Sequence, residues 1–155
     1  LMKRMEIKGI DTAFVTMHTG LGSFREIDVE DLTKHKMDSD LISVDTEAVQ
    51  TINKAKAEGR RICAVGTAVQ RVLETAALTG GMLKEYDGWT SKFIFPEYNF
   101  QVANCMIANF YAPQSTMLML STAFGGYDNV MNAYEVALTE GYRFGLYGDA
   151  MLIID

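Results

Sequence analysis

Arg61-Ile62-Cys63-Ala64-Val65-Gly66-Thr67-Ala68-Val69-Gln70-Arg71-Val72-Leu73-Glu74-Thr75-Ala76-Ala77-Leu78 reads as strand, tight turn and helix. Ile62 to Val65 is wholly apolar, Gly66-Thr67 interrupts the run, and Val69, Val72, Leu73 and Ala76 return at helical spacing. A run without polar alternation predicts a strand covered on both faces, as in a parallel sheet. Gly66 admits backbone conformations closed to other residues, and Thr67 is placed to cap the helix and aim its first N–H groups above the sheet edge. Such a turn is either an ordinary βα connection or a seat for a polar or anionic ligand. Two residues do not separate those readings.

Upstream, Leu1 to Lys8 has the pattern of a helix stopped by Gly9, which predicts that this stretch belongs to something longer. Thr12 to Met17 is a predicted strand that runs into His18-Thr19-Gly20-Leu21-Gly22-Ser23-Phe24-Arg25. Two glycines and two hydroxyls after a buried strand can bring backbone N–H groups close to a ligand, with His18 and Arg25 as polar side chains at the ends. Asp28 to Thr33 is a helical turn and Lys34 to Asp40 a polar loop. Leu41 to Val44 is a strand, and Asp45 or Thr46 caps a helix running to Glu58 and Gly59.

Downstream, Trp89 to Phe95 reads as a strand stopped by Pro96, and Phe100 to Phe110 contains another. Pro113 presets a helical start, and the next helix spans Ser115 to Phe124. Gly125-Gly126 breaks it, Asp128 caps a further helix to Glu140, and Ala150 to Ile154 is the last strand. Strands alternating with helices across short glycine turns predict an α/β fold, a mostly parallel sheet flanked by helices in one domain over residues 1–155. The loops around His18, Gly66 and Asn109 follow strands, so they share the sheet edge where ligands bind. The Tyr142 to Asp149 loop precedes its strand and is less securely placed there.

Composition narrows the function. A net charge of −6 argues against a wholly nucleic-acid-binding surface, although Lys54, Lys56, Arg60 and Arg61 gather at one helix end, as a local patch or as a solvated terminus complementing its dipole. The sequence shows no apolar run near the length of a membrane span and no basic-then-apolar leader, so a cytoplasmic setting is expected. Cys63 and Cys105 both sit in apolar strand-like runs as small buried hydrophobes, and with two histidines there is no zinc-type cluster.

Several ordered segments resemble one family, S-adenosylmethionine:tRNA ribosyltransferase-isomerase of queuosine biosynthesis. They are Tyr147-Gly148-Asp149-Ala150-Met151-Leu152-Ile153 preceded by Tyr142-Arg143-Phe144, then Asn109-Phe110 with Pro113 and Ser115-Thr116, then Ala64-Val65-Gly66-Thr67 with Val69 and Arg71, and Phe93 to Phe100 around Pro96. The resemblance runs from Ala13 onward and corresponds to the C-terminal part of a larger two-domain enzyme, without its N-terminal half and inserted β-barrel. It implies transfer and isomerisation of the ribosyl group of S-adenosylmethionine onto 7-aminomethyl-7-deazaguanine at the tRNA wobble position, giving epoxyqueuosine and releasing adenine and methionine. No metal or other cofactor is implied; S-adenosylmethionine is a substrate, and the expected partners are that tRNA and the missing half.

Such a reaction needs an acid for the departing adenine, a base beside the sulfonium and a guide for the amine. His18, Asp149 and Arg25 are the catalytic candidates. Gly20, Gly22, Gly66, Thr67, Arg71, Asn109, Ser115, Thr116, Arg143, Tyr147 and Gly148 are the binding candidates, with Arg71 and Arg143 set either to orient a carboxylate or phosphate or to form structural ion pairs. Asp149 reads either as a ligand to the ribose hydroxyls or the incoming base, or as a strand-start cap. The chain departs from the family pattern at Asp38 and Tyr111, where histidines are expected. Two other readings stay open: a diverged paralogue acting on another acceptor, and a noncatalytic ligand-binding half.

Overall fold

A computed structural model describes residues 1–154. In chain order the elements are α1 (Met2–Ile7), β1 (Thr16–His18), β2 (Asp40–Val44), α2 (Thr46–Ala57), β3 (Cys63–Val65), α3 (Thr67–Ala76), β4 (Tyr86–Thr90), β5 (Cys105–Asn109), α4 (Thr116–Gly125), α5 (Tyr127–Thr139) and β6 (Ala150–Ile154). Single 3₁₀ turns at Leu21–Phe24 and Leu32–Lys34 lie between β1 and β2.

The fold is mixed α/β, with two three-stranded sheets ordered β1-β2-β4 and β3-β5-β6. Among the described residues only β3 and β5 pair in parallel; β1–β2, β2–β4 and β5–β6 are antiparallel. The expectation of a mostly parallel sheet is therefore corrected. Its physical basis was helix–strand alternation, but β1 returns to β2 through 3₁₀ turns without a crossover helix, and α2 and α3 carry the chain from one sheet to the other. The covering expected on both faces of β3 is also absent. Ala64 is buried while Cys63 and Val65 are exposed, because β3 is an edge strand with one face against the core.

Helix α3 lies at the centre and contacts strands of both sheets as well as α4. Val72, Leu73 and Ala76 pack into a core shared with Ile42 and Val44 of one sheet and Met106 and Ala108 of the other. Truncating Leu73 to alanine would cost about 2–5 kcal/mol. The same helix also buries Thr67, Gln70, Arg71 and Glu74. Glu74 accepts from the backbone N–H groups of Gln101 and Val102 at 3.0 and 3.1 Å and from the Tyr98 hydroxyl at 3.1 Å, so it anchors the segment leading into β5. Burial, and then the Glu74 charge, push the Tyr98 hydroxyl up to about 12.

Local chemistry sets the helix ends. The Asp45 carboxylate accepts from Ala48 N–H at 2.8 Å to start α2, and Ser115 Oγ accepts from Leu118 N–H at 3.1 Å to start α4. Two expected caps differ. Gly66, at φ 103°, is the cap residue of α3 in place of Thr67, and Gly126, at φ 80°, precedes α5 while Asp128 sits in its first turn. Strand β4 also lies earlier than the predicted Trp89 to Phe95. Phe93 and Ile94 instead line a cavity beside α3.

Candidate functional site

The cavity beside the start of α3 has a volume of about 170 Å³, below the roughly 300–1,000 Å³ of complete small-molecule pockets. Four separate loops reach it, and a fifth, the chain after β4, brings Lys92, Phe93 and Ile94. The β1–β2 loop supplies Thr19 and Ser23, the β3–α3 turn supplies Gly66 and Thr67, the segment after β5 supplies Tyr111 and Thr116, and the Tyr142–Asp149 loop supplies Leu146. The remaining wall includes Met17, Met37, Phe93 and Met117, so most of the surface is apolar. Thr67 donates to the Tyr111 hydroxyl at 3.3 Å, giving the wall one polar pair.

A buried ion pair holds this arrangement. Arg71 Nη1 donates to Asp40 Oδ2 at 2.6 Å, with the side chains only 6% and 2% exposed. Asp40 also accepts from Gly20 N–H at 2.7 Å and from the Ser23 hydroxyl at 2.9 Å. Burial pushes the Asp40 carboxyl up, but the Gly20 N–H, Arg71 and Ser23 outweigh it and hold the group below the ordinary carboxylate range. Arg71 spends its other donors on the protein: Nε on Lys92 O at 2.8 Å, and Nη2 on Thr90 O at 3.0 Å and Asp38 O at 3.4 Å. The clamp thus joins the β1–β2 loop, α3 and the chain after β4. Thr116 Oγ1 adds a bond to Ser23 O at 3.3 Å, and Ile27 N–H donates to Gln114 O at 2.8 Å.

The sequence matches the family profile described as queuosine biosynthesis protein over residues 1–153. The chain belongs to that family. It is 68% identical over its full length to an S-adenosylmethionine:tRNA ribosyltransferase-isomerase of Phocaeicola vulgatus and 65% identical to one of Bacteroides fragilis, covering 44% of each. A crystal structure of an S-adenosylmethionine tRNA ribosyltransferase from Thermotoga maritima superposes with a TM-score of 0.78 at 34% identity, over 99% of this chain and 48% of that one. The chain therefore spans less than half the length of these relatives.

The expected site residues divide by what they touch. Gly66, Thr67, Arg71 and Thr116 line the cavity. Gly20 and Gly22 shape its loop; a Cβ on Gly22 would overlap the Asp38 side chain, so the loop backbone passes directly over that residue. His18 ends β1 with its side chain exposed, next to the cavity-lining Thr19. Arg25 pairs at the surface with Asp38 at 3.2 Å. Asp38, where the family resemblance expects a histidine, is thus engaged in an ion pair.

The other candidates assemble the neighbouring loop. Asp149 Oδ2 accepts from Arg143 N–H at 2.7 Å, and Asp149 N–H donates to Arg143 O at 2.7 Å. The carboxylate therefore closes the loop as a strand-start cap would. Gly148 lies against the Arg143 carbonyl, leaving no space for a Cβ. Asn109 donates to Gly148 O at 3.4 Å and Asp149 O at 3.2 Å, while Ser115 is used as the α4 cap. Arg143 and Tyr147 are exposed.

Sequence reasoning missed Asp40, Lys92 and Phe93. For Asp40 a signal existed, because alternation places it on one strand face with Ile42 and Val44, and all three are buried. Among the described residues no group of three His, Cys, Asp or Glu side chains is arranged to hold a metal ion, and no helix is long and apolar enough to cross a membrane.

Proposed function

We propose that this chain is the C-terminal portion of an S-adenosylmethionine:tRNA ribosyltransferase-isomerase. The whole protein transfers the ribosyl group of S-adenosylmethionine to 7-aminomethyl-7-deazaguanine at the tRNA wobble position and isomerises it. The observation that carries this reading is the meeting of five loops on one cavity in a chain that matches that family over residues 1–153. Its partners are S-adenosylmethionine, the tRNA and the rest of the polypeptide that the relatives carry, in the cytoplasm where tRNA is modified.

The apolar wall of Met17, Met37, Phe93 and Met117 suits a flat, weakly hydrated ring such as the adenine of the donor, with the Thr67–Tyr111 pair offering hydrogen bonds at its edge. Arg71 and Asp40 position the Gly20–Ser23 loop, because the guanidinium nitrogens are already occupied by the protein. His18 moves a proton at the rim. Arg25 and the exposed Arg143 face the acceptor side, and Asp149 contacts the ribose or incoming base while its second carboxylate oxygen keeps the loop closed.

Adenine release by the full-length protein, given S-adenosylmethionine and tRNA bearing the aminomethyl base, tests the reading. Wild-type release is expected. Asp149→Asn should abolish it with a melting temperature within about 2 °C of wild type, since an amide oxygen still accepts from Arg143 N–H. No release by the wild type would overturn the assignment, and full turnover by Asp149→Asn would remove that residue's role.

A further inference from the structure

The β3-β5-β6 sheet has one face in the core and one open. Its register puts Cys63, Cys105 and Ile154 in one row and Val65, Ile107 and Leu152 in the next, with Asn109 and Ala150 paired beyond them. Paired residues project on the same side, and the intervening Ala64, Met106, Ala108, Met151 and Ile153 belong to or pack against the core. The open side is apolar where a solvated sheet face would carry polar residues. Val65 is 62% exposed, Leu152 57% and Ile154 49%. Cys63, expected to be buried, is exposed here, its sulfur 3.2 Å from that of Cys105.

We infer that this open face is the docking surface for the polypeptide that family members carry beyond the matched region, and that the rest of the same enzyme covers it. The inference rests on the proposed function only in taking the chain as part of such an enzyme. Two observations select this occupant. The chain accounts for 44% of the length of its Phocaeicola vulgatus relative, so more than half of that protein must pack somewhere. Among the described residues of its three strands the face carries no charged side chain, which disfavours the tRNA backbone and favours an apolar protein surface. Strands β3 and β6 lie at the sheet edges, so the incoming segment can also take up their free backbone groups.

The test joins this chain to the remainder of the Phocaeicola vulgatus relative and compares it with the chain alone by hydroxyl-radical footprinting and mass spectrometry. Oxidation of Val65, Leu152 and Ile154 is expected to fall at least about fivefold in the joined protein. Equal oxidation in the two would overturn the inference, and so would protection in the chain alone that disappears on dilution, since that assigns the face to a second copy. A second measurement uses the joined protein only. Leu152→Glu with Ile154→Glu should lower its melting temperature by about 5 °C or more relative to Tyr127→Glu, an exposed site on α5; an equal effect would overturn it. Adenine release, measured in parallel, reports on the proposed reaction separately from coverage of this face.

Discussion

Two arginine–aspartate pairs hold the β1–β2 loop, one inside the protein and one at its surface. Arg71 and Asp40 meet at 2.6 Å with side chains 6% and 2% exposed; Arg25 and Asp38 meet at 3.2 Å with 66% and 48% exposed. The first pair replaces lost water with a full set of protein partners, because Asp40 also receives Gly20 N–H and the Ser23 hydroxyl. The second keeps most of its water and gains little from pairing. Formal charge therefore says little about what a residue does for this loop; the number of partners that replace solvent says more.

The largest effect should come from unpairing the buried site. Asp40→Ala strands the Arg71 guanidinium and is expected to cost about 3–5 kcal/mol in urea unfolding. Asp40→Ala combined with Arg71→Ala should cost clearly less than the sum of the single changes, since the double variant leaves no buried charge behind. Additive costs would mean that the two residues act separately, and the contrast with the surface pair would fail.

Acid titration sharpens the comparison at a smaller scale. Asp40 has a lowered folded-state pKa, so its contribution is present above the unfolded value of about 4 and is lost as pH falls through the folded value. Unfolding free energies measured between about pH 4 and pH 2 should fall more steeply for the wild type than for Asp40→Asn. Parallel curves would show that Asp40 is not the group being titrated.

The smallest effect belongs to the surface pair. Arg25→Ala should change stability by about 0–1 kcal/mol, and raising salt from about 0.05 to 0.5 M should shrink even that difference in thermal melts. A loss as large as that of Asp40→Ala would erase the distinction drawn between the pairs.

The sequence made helices and their caps legible where a single local signal was enough. Asp45 before α2, Ser115 before α4 and the β3–Gly66–α3 turn all stand within about two residues of where pattern and capping chemistry put them. The sheet partners were not legible, because alternation of strands and helices is the same whether a helix returns the chain to one sheet or moves it to another. Strand β4 was displaced because Asp87-Gly88 resembles a turn, and the apolar Phe93-Ile94 that drew the prediction forms cavity wall instead.

At the site, the loops after β1, β3 and β5 do meet, but not along the single sheet edge from which that was expected, since β1 belongs to one sheet and β3 and β5 to the other; Leu146 brings the loop before β6 to the same cavity. The clamp was not read. Lys34 to Asp40 looks like a polar loop until Asp40 is counted as the first residue of an alternating strand, and its partner Arg71 lies 31 positions away.

Arg71 reaches the chain at Asp38, Thr90 and Lys92 through their backbone carbonyls. Main-chain oxygens are common to all residues, so this grip does not depend on which side chains stand at those three positions. The side chains of Lys92 and its neighbour Phe93, which border the cavity, take no part in this grip; they contact Tyr98 in the one case and His35 and Phe95 in the other. A protein built this way can drift in ligand preference one wall residue at a time without renegotiating its architecture.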